Sequence, residues 1–441
     1  MSTPATWARA LAYGLPGLPL AALLLPLYVY LPSFYAEDMG LGLAAVGTVL
    51  LVARLWDMGT DPVVGYFSDH IRTRFGRRRL LMAAGAPVLL VSTWALFVPP
   101  EGAGPLYLLV TSMGAYLGLT LVLLPFSAWG AELSNDYDGR TSLAAGREGF
   151  TLAGTLIGVG VPAALGLTGG DALELIALGL LIVLPACLFV TFIAVPEPPA
   201  HRQTLPPLSQ GVRVLARNRP FVKLLVAYVL NGCANGLPAT LFLLYVKHVL
   251  QVPDMSGLLL LIYFGCGAAS VPLWVWISKR TGKKPAWIGS MIWAAVIFAF
   301  VPLLGPGDVG WYIAIVVATG IGLGADLALP ASMQADVIDL DRVETGTERA
   351  GLYFSLWGMA TKLALALAVG IAFPLLDLAG FAPEAEANGP QALTALALLY
   401  AFGPSLLKLA AVAVIWTYPI DAAAQAEIRA RLADEASAQN A

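Results

Sequence analysis

Apolar runs long enough to cross a bilayer recur along nearly the whole of this 441-residue chain. That feature excludes most folds. In hydrocarbon every backbone N–H and C=O must be satisfied internally, so a spanning segment is either a helix of about 20 apolar residues or a strand of a closed barrel. The runs here have helix length. Twelve spans read out at roughly 11–34, 41–67, 79–99, 105–132, 146–168, 172–196, 218–248, 255–278, 284–304, 309–335, 348–376 and 390–417. Only 12% of the residues are charged, against about 25% in a soluble domain, so water is not the main solvent. The expected class is an all-α polytopic membrane protein whose first partner is the lipid bilayer. The basic residues form short loop clusters, which do not suggest nucleic acid as a partner.

The longest polar connection, 197–217, separates two sets of six spans. The expected division is an N-terminal six-helix bundle over 1–196, a cytoplasmic linker over 197–217, a C-terminal six-helix bundle over 218–417 and a cytoplasmic tail over 418–441. Lys and Arg set the orientation. Arg72, Arg74, Arg77, Arg78 and Arg79 follow span 2, and Lys279, Arg280, Lys283 and Lys284 follow span 8. On the opposite face Lys247 stands among Glu37, Asp38, Glu101, Asp171, Asp308 and Asp377. Both termini are therefore expected in the cytoplasm, with a bacterial cytoplasmic membrane as the host. The first apolar run is long and lacks a cleavage signal, so it is expected to persist as a helix. Cys187, Cys233 and Cys266 all lie inside apolar runs and read as packing residues.

A repeat reinforces the division. Arg74-Phe-Gly-Arg-Arg after span 2 matches Arg280-Thr-Gly-Lys-Lys after span 8. Ala131-Glu132 with Asp136, Asp138 and Arg140 matches Ala335-Asp336 with Asp339, Asp341 and Arg342. The offsets are 206 residues from Gly76 to Gly282 and 204 from Ala131 to Ala335. Duplicated halves mark secondary carriers, whose substrate site lies between the repeats near the midplane.

Ionisable groups inside spans are costly and mark function. Span 2 places Arg54, Asp57 and Asp61 on one helical face. Two carboxylates one turn apart suit Na⁺, or a proton shared by the pair, and Thr60 offers a further oxygen. Arg54 neutralising Asp57 still leaves one acid over. Lys362, mid-way along span 11, is too deep to reach water easily and needs a carboxylate, with Asp57 or Asp61 as candidates. Arg147, Asn231, Asn235 and Asp326 are candidates for the substrate cavity. Asn pairs also serve as interhelical glue, and Lys408 in span 12 is equally open to both readings. The prolines and glycines of span 1, from Gly14 to Pro32, suit a kinked gating helix. Asp69 beside Arg72, Arg77 and Arg78 suggests a charge latch on the cytoplasmic face.

The loop from Gly65 through Asp69 and Gly76 to Arg79 resembles the signature between the second and third helices of the major facilitator superfamily. Together with Val52-Ala-Arg-Leu-Trp-Asp57, Asp61-Pro62, Gly118-Leu-Thr120, Pro125-Phe126, Arg140, Arg147, Ala335-Asp336 and Lys362, the chain is similar to the glycoside–pentoside–hexuronide:cation symporter family over essentially its whole length. The resemblance implies a major facilitator fold of two pseudo-symmetric six-helix bundles working by alternating access, usually as a single chain. It implies Asp57, Asp61 and Thr120 at the cation site with Lys362 nearby, Na⁺ or H⁺ as coupling ion, and no other cofactor. The family's usual Asn is Thr60 here, which leaves the ion open. Its sugar-binding acids fall at Ala21 and Leu123, and its pocket tryptophans near Ser127 and Leu327. Hydroxyl-rich galactosides need buried polar partners, so the expected solute is another glycoside, a less polar molecule or an amphiphile such as a lysolipid. Two readings compete. In a Mg²⁺-dependent intramembrane prenyltransferase, Asp57 and Asp61 would hold a diphosphate's metal. A non-transporting sensor on a carrier fold would tolerate Asp57→Asn.

Overall fold

The structure, a computed structural model, describes residues 7–70, 73, 75–133, 137–197, 218–345, 350–383, 385, 388–420, 424–425, 427–428 and 431. The described helices are α1 (Trp7–Gly14), α2 (Gly17–Tyr28), α3 (Tyr30–Ala36), α4 (Leu43–His70), α5 (Arg77–Phe97), α6 (Pro105–Glu132), α7 (Tyr137–Ala164), α8 (Gly169–Ala194), α9 (Arg219–His248), α10 (Ser256–Thr281), α11 (Lys283–Phe298), α12 (Val309–Thr345), α13 (Ala350–Leu378) and α14 (Pro390–Trp416). Among the described residues eleven segments are long and apolar enough to cross a membrane, α1 to α3 counting as one. The twelfth, α7, has 28 residues but is less apolar, because Arg147, Glu148 and several glycines lie within it. The chain is thus an integral, multi-pass membrane protein. Its outer shell is apolar: Ile182, Phe189 and Ile193 on α8 are exposed, as suits a lipid-facing surface.

The first span is broken twice, at Leu15–Pro16 and at Val29, where prolines remove amide donors and clash with the preceding turn. The broken span is held against α7 through small residues. A Cβ on Gly154 would lie 2.1 Å from the Leu18 carbonyl oxygen, so only glycine allows this approach. Helix starts follow local chemistry. Pro105 and Pro390 each open a helix after an extended glycine. Asn218 caps α9 by accepting from the Phe221 N–H at 3.0 Å.

The repeat read from the sequence is a repeat of backbone. Gly76 (φ 94°, ψ 152°) and Gly282 (φ 94°, ψ 155°) precede α5 and α11 in one and the same conformation, a region that L side chains rarely adopt. Helices α1 to α8 pack among themselves, as do α9 to α14. Across the two groups α4 lies on α13, α7 on α10 and α3 on α9. The described cross-contacts cluster toward the acidic face, remote from the Arg77–Arg79 and Lys279–Lys284 loops. Gly47 sits against Phe373 and Val369, Gly257 against Ala163, and Lys247 forms an ion pair with Glu37. On the acidic side the two groups are in direct contact.

Candidate functional site

The shared face of Arg54, Asp57 and Asp61 on α4 meets α6 and α13. Lys362 Nζ, from the other bundle, donates to Asp57 Oδ1 at 2.8 Å and to Asp61 Oδ1 at 2.7 Å, and approaches Thr120 Oγ1 at 3.4 Å. The Thr120 hydroxyl lies 3.1 Å from Asp57 Oδ1 and 3.0 Å from Asp61 Oδ1, and donates to one at a time. Arg54 Nη1 donates to Asp57 Oδ2 at 3.1 Å. Its guanidinium lies 4.5 Å from the Tyr28 ring centroid and 3.8 Å from that of Tyr116. Buried cation–π contacts of this kind stabilise a cation by about 2 kcal/mol. The rings stand where hydrogen-bond acceptors would otherwise be needed, since Arg54 Nη2 is buried without one.

Two carboxylates and two cationic groups cancel in charge. The cluster is sealed on one side and accessible on the other: Asp57 is 1% exposed, whereas the side chains of Asp61 and Lys362 keep 16% and 22%. Of the two threonines expected at the cation site, Thr120 faces the carboxylates and Thr60 does not. Thr60 Oγ1 donates to the Asp57 carbonyl at 2.9 Å, the back-bonding habit of a mid-helix threonine.

Three of the four substrate candidates converge on a second lysine. Lys408 Nζ donates to Asn231 Oδ1 and Asn235 Oδ1, both at 2.8 Å, and lies 3.5 Å from Asp326 Oδ2. Asp326 accepts from Asn235 Nδ2 at 2.9 Å and from Trp287 Nε1 at 2.8 Å. The fourth candidate, Arg147 on α7, stands apart and forms an ion pair with its neighbour Glu148 at 2.7 Å. Asn235 also borders a pocket lined mainly by apolar and aromatic side chains, among them Phe242, Tyr263, Phe264, Tyr312 and Tyr400. Tyr312 and Tyr400 bond to each other at 2.7 Å, and Thr319 donates to its own helix, so few polar groups remain for a ligand.

In the expected latch, Arg72 and the side chains of Asp69 and Arg77 lie outside the described residues. Arg78 is described: it is buried, and its guanidinium bonds the Ser68 hydroxyl near the end of α4. Its main-chain N–H donates to Glu197 Oε1 at 2.8 Å, and Arg79 Nε lies 3.6 Å from Glu197 Oε2. Glu197, Trp287, Tyr28 and Tyr116 were not singled out in the sequence. Aromatic rings in an apolar run read as packing, and a linear sequence does not mark which ring meets a charge. Glu197 carried one available signal, as an acid at the start of the linker.

Known proteins bear on these geometries. The family described as MFS/sugar transport protein matches residues 12–422. The glucuronide carrier protein homolog of Escherichia coli (strain K12) is 25% identical over 413 residues, covering 89% of this chain and 88% of that protein. The sodium-dependent lysophosphatidylcholine symporter 1 of Mus musculus is 26% identical over 420 residues, covering 85% of this chain and 78% of the relative. Among solved structures, a nucleoside transporter superposes with a TM-score of 0.69 at 12% identity, covering 93% of this chain and 100% of that chain. A D-xylose–proton symporter gives 0.64 at 14% identity, covering 94% and 96%. These structures share the major facilitator fold with the chain. Transport proteins on every side close the prenyltransferase alternative. The chain therefore belongs to the MFS/sugar transport family, of the glycoside–pentoside–hexuronide type, and is a membrane transporter and not an enzyme.

Proposed function

We propose that the protein is a cation-coupled symporter of a small organic solute, with Asp57, Asp61 and Thr120 as the seat of the coupling cation, Na⁺ or H⁺. One observation carries this reading. Both carboxylates and the threonine close on Lys362, which belongs to the opposite bundle. A cation that binds the acids competes with the ammonium and loosens a tie between the halves. Differential affinity for the tied and untied states is sufficient to shift their populations. The contacts between the halves on the acidic side, with Glu37 paired to Lys247, suit a carrier in a state that opens toward the basic face. On this reading that face is cytoplasmic, the host is a bacterial cytoplasmic membrane, and the carrier works as a single chain.

The solute binds between the bundles, near Arg147 on one side and Asn235 on the other. The aromatic lining of the pocket beside Asn235, formed almost wholly by the C-terminal bundle, favours a body with substantial apolar surface, because stripping water from many hydroxyls there would leave them unpaired. An amphiphile with a polar head at Asn235 fits this lining and is the second reading; one relative is named as a lysophosphatidylcholine symporter and another as a glucuronide carrier homolog.

Proteoliposome uptake tests the coupling. Candidate sugars, sugar acids and lysolipids are supplied under an inward Na⁺ gradient, an inward H⁺ gradient, or neither. Accumulation under one gradient is expected for the wild type and is expected to vanish in Asp57→Cys/Asp61→Cys. Gradient-driven accumulation that persists in the double variant defeats the reading.

A further inference from the structure

The C-terminal bundle repeats the geometry of the α4 cluster with different chemistry. In each cluster one lysine ammonium is ringed by three side-chain oxygens. Two come from a single helix at i,i+4 spacing: Asp57 and Asp61 on α4, Asn231 and Asn235 on α9. The third comes from another helix, Thr120 on α6 or Asp326 on α12. The distances run 2.8, 2.7 and 3.4 Å around Lys362, and 2.8, 2.8 and 3.5 Å around Lys408.

Lys408 is held as a coordinated ion more than as half of a salt bridge. Its two near ligands are neutral amide oxygens, and the carboxylate is the far one. Asp326 meanwhile takes short bonds from Trp287 and Asn235, which satisfy both of its oxygens without the lysine. Asn235 turns its oxygen to the ammonium and its nitrogen to the carboxylate, the orientation that a cation in the ring imposes. Lys408 is only 3% exposed, yet Asn235 borders the pocket enclosed by α9, α10, α12 and α14, so the ring is one side chain away from that space.

We propose that this ring is a second monovalent-cation site, permanently filled by the chain's own Lys408 ammonium, and that removing the ammonium admits a free Na⁺ or a small alkylammonium ion. Every ligand of the ring, and the lysine itself, belongs to one bundle, so rocking of the halves never empties it. Lys362 is drawn from the opposite bundle and leaves its ring when the halves part. A tethered ion that stays and an exchangeable one that goes give a stoichiometry of one external cation per cycle; this clause alone rests on the coupling reading above.

The test is chemical rescue. Purified Lys408→Ala is unfolded thermally in NaCl, methylammonium chloride or choline chloride at equal ionic strength, beside the wild type. Choline is too large for the ring. The expected result is that Na⁺ or methylammonium raises the midpoint of Lys408→Ala over its value in choline by at least about 3 °C more than it does for the wild type. That excess should persist in Asp57→Asn/Lys408→Ala and disappear in Asp326→Asn/Lys408→Ala. Should Lys408→Ala be recovered folded only in Na⁺ or methylammonium, the recovery is itself the rescue. Equal behaviour in all three salts, including failure to fold in all three, overturns the proposal, as does an excess that survives Asp326→Asn. A second variant reads the site directly: Asn231→Asp/Lys408→Met places two carboxylates in an emptied ring and should bind one more ²²Na⁺ per chain than the wild type. No gain there also overturns it. None of these readouts uses transport, so a failure of the coupling reading leaves them interpretable.

Discussion

The two lysine rings differ in how each bundle treats a buried charge. Lys362 reaches across the interface to two carboxylates, with its side chain 22% exposed. Lys408 stays inside one bundle at 3% exposure, among two amides and one acid. The first ring carries more negative charge than its lysine can neutralise, and Arg54, braced between Tyr28 and Tyr116, supplies the difference from the sealed side. The second balances one acid against one base. A ring that needs help from outside its bundle can be disturbed by an ion or by motion. A self-contained ring is a fixture. One geometrical device, built on helices that the repeat does not make equivalent, thus serves two ends.

Charge substitutions at the two rings break or sharpen this contrast. The largest expected effect is on coupling. Asp57→Asn should reduce gradient-driven accumulation by about a hundredfold, the upper range of an ordinary coupling free energy, as measured by steady-state uptake in proteoliposomes. Next comes stability in choline chloride. Lys408→Met leaves Asp326 buried without its cation and should cost about 3–5 kcal/mol in detergent unfolding, whereas Lys362→Met, which leaves Arg54 on Asp57 and water access at Asp61, should cost measurably less. Equal losses would remove the distinction between fixture and movable tie. Trp287→Phe deletes one short donor to Asp326 and should cost about 1–3 kcal/mol in the same assay. The smallest effect is at the acidic face. Glu37→Gln cuts the ion pair to the part-exposed Lys247 and should favour opening of that face by under about 1 kcal/mol, readable as faster labelling of a cysteine placed at Asn235.

Much of the first ring was legible in the chain. The spacing of Arg54, Asp57 and Asp61 puts them on one face of any helix, and a mid-span lysine must seek an acid. The second ring was half legible. Asn231, Asn235 and Asp326 stand out as polar residues in apolar runs and as candidates for a substrate site, but nothing in the sequence pairs them with Lys408. Trp287 was invisible as a donor. Thr60 misled for a local reason: a helix interior offers a threonine its own backbone carbonyl more readily than a neighbour's carboxylate. The arginine cluster after α4 is legible in the sequence, whereas the acid described beside it, Glu197, accepts from the Arg78 main-chain N–H across 119 residues.

By itself the sequence determined the solvent, the helix count, the duplication and the face on which the first acids lie, because hydrophobic length, repeat offset and helical period are properties of one dimension. Partnership was decided only by the tertiary structure. Lys362 meets Asp57 over a separation of 305 residues, and Lys408 meets Asn231 over 177. A helical period says which way a charge points and nothing about which of two buried lysines will be waiting there. The crossing of α13 over α4, and the tuck of α14 behind α9, made one lysine a tie between the halves and the other an internal ion.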